Sequence, residues 1–544
     1  MQVKTGVFGL SVVLLVAMHS SVAYAIPAFA RQYQTSCTTC HSDFPKLNDF
    51  GKAFKDAGFK FPTDNETFLK IPATMLGAPA QKEQFPHTVW PGSIPGILPV
   101  GLRMNTFFQR TSGNRGNFDS LLPPGTPASP FIPKTDFGTG FFSIFTAGDF
   151  GSDIAFWVDD DISVSGDNSN GHLGDGYLRF VNIGRLVKLP KDSLTLRVGQ
   201  FELDLPFTQA RSYDISPYDI YTQANIGVVT PGFGQQNVNN AFTFAGAAHG
   251  VEFSGGHSYG GYHYSIAVVD QNTSGVVQSS NTSALVPSPT GGNNGGIGFA
   301  SDSNFKDLYG RFSYRFNLER DAKSRNAVQA AGASGPRDHT YLNLGTYYFY
   351  GRSVQRFSGA DLAGTPQVLT ASEPFYRAGG DFSFNYRAFN IYGLYMYGHD
   401  NDLLPIDSTG ALIALPITGT SALPTGFVHG QAATFSGGFV QADYLALPWM
   451  MAIMRWDAVN SSEDRINGLA LNTATSFALP FRSTRNRFTP GVQFLIHANI
   501  KASFEYQIRP QQFVTVVTNP ITGLPIAVQP FRTNTAVAGL EWVF

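Results

Sequence analysis

Cysteine is nearly missing from this chain, with two residues in 544, and charged side chains supply only 14% of it. Both cysteines fall within one short run, Cys37 to His41, so none remains for a structural disulfide elsewhere. The low charge sits badly with a soluble enzyme, in which about a quarter of the residues are ordinarily charged. A net charge of −2 at pH 7 offers no basic surface for nucleic acid. Beyond the N-terminus, no apolar run reaches the ~20 residues that a membrane-crossing helix needs. What the chain does have is 57 glycines and a 14% share of Phe, Trp and Tyr. Together these features point to β-strands that turn one side to lipid.

The N-terminus reads as an export signal. Lys4 gives the positive start, Val7 to Ala17 the apolar stretch and Ala23-Tyr24-Ala25 a small-x-small cleavage site. The apolar stretch is too short for an anchoring helix. Residues 1–25 are therefore expected to be removed, leaving Ile26 as the mature N-terminus.

Cys37-Thr38-Thr39-Cys40-His41 follows. Two thiols that form thioethers with haem vinyl groups, followed at once by an iron-ligating histidine, make up the attachment pattern of haem c. Three other chemistries compete. Zinc wants four N or S ligands, and two cysteines and a histidine fall short. A thioredoxin-like pair wants a βαβ surround that is missing here. A disulfide leaves His41 without a role. Export also fits a haem attached after translocation. The expectation is one covalent haem c on Cys37 and Cys40, with His41 on the iron. For the sixth ligand, His87 and Met75 are the candidates between cleavage site and barrel, beside a barrel-wall residue or an open position. A methionine there would raise the haem potential relative to a second histidine.

After the motif, Pro45 is expected to open a helix and Gly58 to close it. Leu47, Phe50, Phe54 and Ala57 recur at helical spacing and form one apolar stripe, suited to a haem face or to ordinary packing. Gly51 leaves room for close approach. Residues 62–96, dense in Pro and Gly, read as an irregular wrap and linker.

From Ile97 onward the chain alternates in segments near the length of a tilted membrane-spanning strand. Strands are predicted to begin near Ile97, Gly140, Ile154, Gly176, Leu194, Phe242, Tyr262, Leu308, Tyr341, Tyr376, Asn390, Thr434, Trp449, Arg487, Lys501 and Thr535, about sixteen in all, an even number as bacterial barrels have. Connection lengths alternate too. Long stretches (111–138, 205–240, 271–305, 351–374, 399–431, 457–486, 510–533) fall on one side, and tight turns such as Gly151-Ser152-Asp153 and Leu447-Pro448 on the other, which is the outer-membrane asymmetry. Residues 317–340 break that rule: either they form a periplasmic loop or the strand count slips there. The final run puts Ala538, Leu540, Trp542 and the terminal Phe544 on one face. A water-soluble β-sandwich would not explain the loop asymmetry. The fold class expected is mainly β, a transmembrane antiparallel β-barrel of about sixteen strands (97–544) in the bacterial outer membrane, behind a small α-helical cytochrome segment and linker (26–96) that plugs the lumen or caps its periplasmic mouth. A single haem in the periplasm could not serve a donor outside, since tunnelling falls steeply with distance and the apolar band is ~25 Å tall.

Phe29-Ala30-Arg31-Gln32, the Cys37-x-x-Cys40-His41 run and Pro45-x-Leu47-x-x-Phe50-Gly51-x-x-Phe54-Lys55-x-x-Gly58 resemble the outer-membrane monohaem cytochrome–porin fusions of iron-oxidising bacteria. The resemblance lies in residues 29–58; the barrel matches in architecture and position alone. It implies an electron-transfer cytochrome with Fe(II) oxidase activity that takes electrons from an extracellular reductant such as Fe(II), holds them on one haem c and delivers them to a periplasmic carrier. It carries over Cys37, Cys40 and His41 and no other residue, and it does not fix the direction of flow. Outer-membrane lipid is the remaining partner expected. Two other functions compete: a solute channel with a haem sensor or gate, and a periplasm-facing cytochrome anchored by a barrel. Asp159-Asp160-Asp161 would suit a hard, exchanging Fe(II), although a solvated rim cluster is the simpler reading, and Asp204, Asp214 and Asp219 invite the same caution.

Overall fold

The computed structural model describes residues 28–43, 46–62, 65–88, 92–97, 99–113, 135–151, 153–162, 172–208, 214–222, 228–230, 234–236, 244, 247–270, 274–275, 305–318, 340–360, 366–400, 403–411, 425–429, 432–462, 484–508, 513–518, 525–531 and 533–543. The export signal, Pro45 and Phe544 lie outside the described residues, as do much of the stretches 111–138 and 317–340.

Sixteen antiparallel strands close into a barrel. They are β1 (Val100–Gly113), β2 (Thr135–Asp149), β3 (Ile154–Ile162), β4 (His172–Phe180), β5 (Thr195–Phe201), β6 (Ala248–Gly256), β7 (Gly261–Asp270), β8 (Asp307–Asn317), β9 (Tyr341–Ala360), β10 (Pro366–Tyr386), β11 (Phe389–Asp400), β12 (Ala433–Leu447), β13 (Met450–Ser461), β14 (Thr484–His497), β15 (Ile500–Gln507) and β16 (Thr533–Val543). β16 closes the ring against β1, with Leu540 opposite Thr106 and Trp542 opposite Met104. Closure removes the open edges that would otherwise leave backbone groups unpaired in lipid.

The period-2 pattern decides what faces where. In β8, Asp307, Tyr309, Arg311, Ser313 and Arg315 are buried, while Leu308, Phe312, Tyr314 and Phe316 are exposed. Polar residues therefore point inward and apolar ones outward, the arrangement of a barrel whose solvent is lipid. Among the described residues no helix is long and apolar enough to cross a membrane.

Predicted and observed strands agree in number and order, with local shifts. β6 begins at Ala248 rather than near Phe242, and β4 at His172 rather than Gly176. The predicted outward loop 351–374 is mostly strand: β9 and β10 stay paired to Ala360↔Pro366, because main-chain pairing overrides the loop-like Gly, Ser and Pro there. Asn317 pairs with Tyr341, so the strand count does not slip and 318–340 connects β8 to β9 at the short-turn end.

Ahead of the barrel lie α1 (Ala28–Tyr33), a 3-10 turn at Cys37–Thr39, a short ladder of His41–Asp43 with Lys46–Leu47, and α2 (Asp49–Asp56). The helix expected from Pro45 starts at Asp49, since Lys46 and Leu47 are taken up by that ladder. Asn48 caps it by accepting a bond of 2.8 Å from the Gly51 N–H. Gly58, at φ +76°, ends it: Phe59 N–H reaches back to the Phe54 carbonyl at 2.9 Å, a left-handed close that glycine adopts without strain.

Candidate functional site

The Cys37–His41 turn is clamped onto the start of α2. Cys40 N–H donates to the Cys37 carbonyl at 3.2 Å, and Asn48 N–H to the Cys40 carbonyl at 2.9 Å. The Asn48 amide donates to the carbonyls of Thr38 and Thr39 at 3.3 and 3.0 Å. A Cβ at Gly51 would collide with the Cys40 carbonyl, so glycine is what lets the helix and the turn approach. His41 pairs with Leu47 across the short ladder.

The apolar stripe of α2 buries Phe50 and Phe54 in a cluster with Tyr33 and Phe59, and Cys40, Phe29, Phe61 and Phe68 pack against it. Phe50 and Phe61 rings lie 5.0 Å apart and Phe29 and Phe59 5.2 Å apart, distances at which aromatic pairs attract beyond their area. Burial in this cluster pushes the Cys40 thiol up to about 12 and raises the Cys37 thiol as well. Such thiols are held protonated, which suits neither a reactive redox pair nor a ready-made zinc thiolate site.

The polar face of α2 meets the inner side of the wall. Arg315 of β8 donates two hydrogen bonds of 2.6 Å to the Asp49 carboxylate, and its guanidinium stacks 3.6 Å over Tyr341. Such a bidentate pair is the strong form of a charged contact. Arg179 of β4 donates to the Lys55 carbonyl at 2.7 Å and faces Asp56 at 3.8 Å. Lys46 approaches Asp443 of β12 at 3.8 Å, and Lys60 approaches Asp149 of β2 at 3.4 Å. Phe59 packs on Trp157 of β3 at 5.7 Å. A cavity of about 850 Å³ lies beside these contacts, lined by Asp49, Asp56 and Lys60 from the segment and by Arg179, His257 and Arg315 from the barrel.

A second element reaches the same inner face. The connection after β5, within the long stretch 205–240, folds in where it is described, at residues 214–222. Asp214 pairs with Arg455 at 2.7 Å and Asp219 with Arg487 at 2.9 Å. Both arginines also bond Asp457, and the Glu505 carboxylate accepts from the N–H groups of Ile215 and Ser216. Tyr218 stacks on Phe439 at 3.9 Å. Asp204 pairs with His263 at 2.9 Å. Asp204, Asp214 and Asp219 are thus paired one by one with His263, Arg455 and Arg487 of the wall rather than gathered as an iron site, and Asp159 accepts a bond from the Asp175 N–H. Among the described residues no group of three or more His, Cys, Asp or Glu side chains is placed to hold a metal ion.

Met75 and His87 sit elsewhere. Met75 pairs with Ser93 in a two-residue ladder and is 56% exposed. His87 is exposed in the turn after the helix Pro79–Gln84. Neither belongs to the aromatic cluster that holds Cys40. The residues that sequence reasoning missed are the inward arginines, Arg315, Arg455 and Arg487. Their one visible trace is a charged residue at an inward position of an otherwise apolar-out strand, as in Arg455-Trp456-Asp457.

No family model matches the chain, and no curated sequence matches it. Solved structures with a similar course are porins and channels. The anion-selective porin from Comamonas acidovorans aligns at 10% identity and TM-score 0.43, over 82% of this chain and 99% of that one. The outer membrane channel DcaP of Acinetobacter baumannii aligns at 9% identity and TM-score 0.41, over 82% and 96%. OprB of Pseudomonas putida aligns at 9% identity and TM-score 0.41, over 82% and 94%.

Proposed function

We propose that this chain is an outer-membrane β-barrel whose N-terminal segment occupies the lumen and carries one covalent haem c there, passing electrons between an extracellular reductant and a periplasmic carrier. Fe(II) is the donor that the family resemblance implies. The observation that carries the reading is the bidentate Arg315–Asp49 pair, which ties the helix next to the Cys37–His41 turn to an inward-facing wall residue.

The residues present fit the cofactor. A single turn presents two thiols and an adjacent imidazole, and Cys40 lies against an aromatic cluster able to keep water from a porphyrin face. Cys37 and Cys40 would hold the haem by thioethers, and His41 would ligate the iron; Met75 and His87, the further candidates from the sequence, lie outside the cluster that holds Cys40. Bound haem would supply reversible one-electron transfer. The chain's own part is positional. Phe50 and Phe54 exclude water, Gly51 allows the turn to seat on α2, and Arg179 and Arg315 fix α2 against the wall. The inward-folded 214–222 segment narrows the way past it.

A second reading is a solute channel in which the haem segment serves as sensor or gate. The polar cavity beside α2 favours it, because charged side chains of both signs line a space of about 850 Å³, enough for many waters. Replacing Cys37 and Cys40 by serine separates haem loading from barrel formation. The variant is expected to lose covalent haem in a denaturing-gel peroxidase stain while keeping a heat-modifiable barrel. A wild-type protein that does not stain, or a variant that stains equally, would end the haem reading and leave the channel.

A further inference from the structure

The connection from β4 to β5 stands apart from most turns at its end of the barrel. Where others use a few residues, residues 181–194 build a rigid platform. Its centre is a 3-10 turn, Ile183–Val187, held between Asn182 and Lys188, both at φ 59°. Non-glycine residues rarely take that conformation, and they keep it only where surroundings impose it. Here the imposed order is visible: Leu189 N–H bonds the Gly184 carbonyl at 2.9 Å, and the Asn182 side chain accepts from Asp192 N–H at 2.6 Å. The platform nevertheless holds its apolar side chains out. Leu186 is 87% exposed, Val187 65% and Leu189 44%. Water is an unfavourable neighbour for such a group, and a fixed one cannot fold away from it.

Position identifies the neighbour. A Cβ on Gly184 would touch Leu189 and Leu194, so the turn folds back on its own connection, and Tyr264, which shares the outward face of β7 with exposed Tyr262 and Ile266, donates its hydroxyl to the Ser193 carbonyl at 2.7 Å. Directly along that face, Leu178 and Val198 are the exposed apolar residues of β4 and β5. The platform therefore continues the barrel's lipid-facing surface at its short-turn rim. Two cations lie within residues 182–189: Arg185, 68% exposed and 3.7 Å from Asp153, and exposed Lys188, which has no acidic partner among the described residues; a third, Lys191, lines the cavity beside α2. Apolar side chains in the acyl boundary with lysine and arginine at the headgroups are how a surface-lying element grips an anionic leaflet.

We infer that residues 182–189 form a phospholipid-binding collar, with Leu186 and Val187 in the acyl region of the inner leaflet and Arg185 and Lys188 on anionic headgroups. This rests on the outer-membrane reading. The test is fluorescence of full-length Leu186→Trp protein, read as the difference from the parent protein, in bilayers of phosphatidylcholine doped with brominated phosphatidylglycerol or brominated phosphatidylcholine. The parent protein's own five tryptophans, exposed Trp449 and Trp456 among them, serve as the control, because their quenching reports insertion before Leu186 is changed. The added tryptophan should emit at shorter wavelength than in detergent-free water and be quenched, more strongly by the brominated anionic lipid. Adding Arg185→Gln and Lys188→Gln should erase that preference, roughly fivefold in apparent affinity for each charge, equivalent to about 1 kcal/mol. Red, unquenched emission from the introduced side chain beside a quenched parent signal would overturn the collar and assign the platform to water or a protein partner. Equal quenching by both lipids would overturn the headgroup contact. An unquenched parent protein would remove the membrane reading and the collar with it.

Discussion

Two segments reach the inner face of the barrel, and they are held differently. The 214–222 segment is pinned by Arg455, Arg487, Asp214, Asp219 and Asp457, all with side chains at most 1% exposed. The N-terminal segment relies on an aromatic cluster and on pairs that remain partly wet, such as Lys46 with Asp443 and Lys60 with Asp149, whose lysine side chains are 25% and 18% exposed. Buried charges without partners are costly, whereas partly exposed pairs are weak and screened. The inward loop therefore behaves as part of the wall. The N-terminal segment behaves as a docked piece, with the bidentate Arg315–Asp49 pair the most buried of its ion pairs described above, since Arg315 is almost fully buried and Asp49 nearly so.

Replacing Arg455 by Met should have the largest effect, because it removes the arginine paired with Asp214 and one of the two arginines that hold Asp457 in the interior. A loss of about 3–5 kcal/mol is expected, read as a lower denaturant midpoint for loss of the heat-modifiable band. An unchanged midpoint would mean that the loop is not structural. Arg315→Ala should cost less, roughly 2 kcal/mol for a charged bidentate contact, and should act on the N-terminal segment alone. Trypsin would then cut at Lys46, Lys52 or Lys55 while the barrel stays intact; equal cutting in the parent protein would dissolve the contrast between the two segments. Raising salt to about 1 M, where screening acts within ~3 Å, should accelerate cutting in that segment modestly and leave the loop untouched.

The smallest effect is chemical. In protein without haem, the Cys40 thiol at about 12 is almost wholly protonated at pH 8, so alkylation should be slow until the chain is unfolded. Because burial raises this thiol in the folded state, its contribution to stability is complete below the ordinary thiol value of 9.0 and fades as pH climbs toward 12. Fast alkylation of the folded, haem-free protein would show that Cys40 is not packed in the cluster.

Much of this architecture was legible in residue order because it is periodic and local. Alternation in Tyr341 to Phe349 and in Ala538 to Trp542 marks strands with an inner and an outer face. Glycine at 51 and 58 marked a close approach and a helix end. Contacts between distant residues left no such trace. Arg315 and Asp49 are 266 positions apart, and nothing in either neighbourhood names the other. Asp214-Ile215-Ser216-Pro217-Tyr218-Asp219 reads as an exposed, acidic turn, and only the arginines brought opposite by β13 and β14 turn it inward. Likewise Pro45 resembles a helix start until the ladder with His41 takes up the residues that follow it.

The most direct test of the proposed conduit is the absorbance of the haem in sealed liposomes carrying the full-length protein. Fe(II) held outside by a membrane-impermeant chelator should reduce the haem while sugars of porin-permeant size stay excluded. A haem that remains oxidised while such sugars pass freely would contradict the conduit and make this barrel a channel.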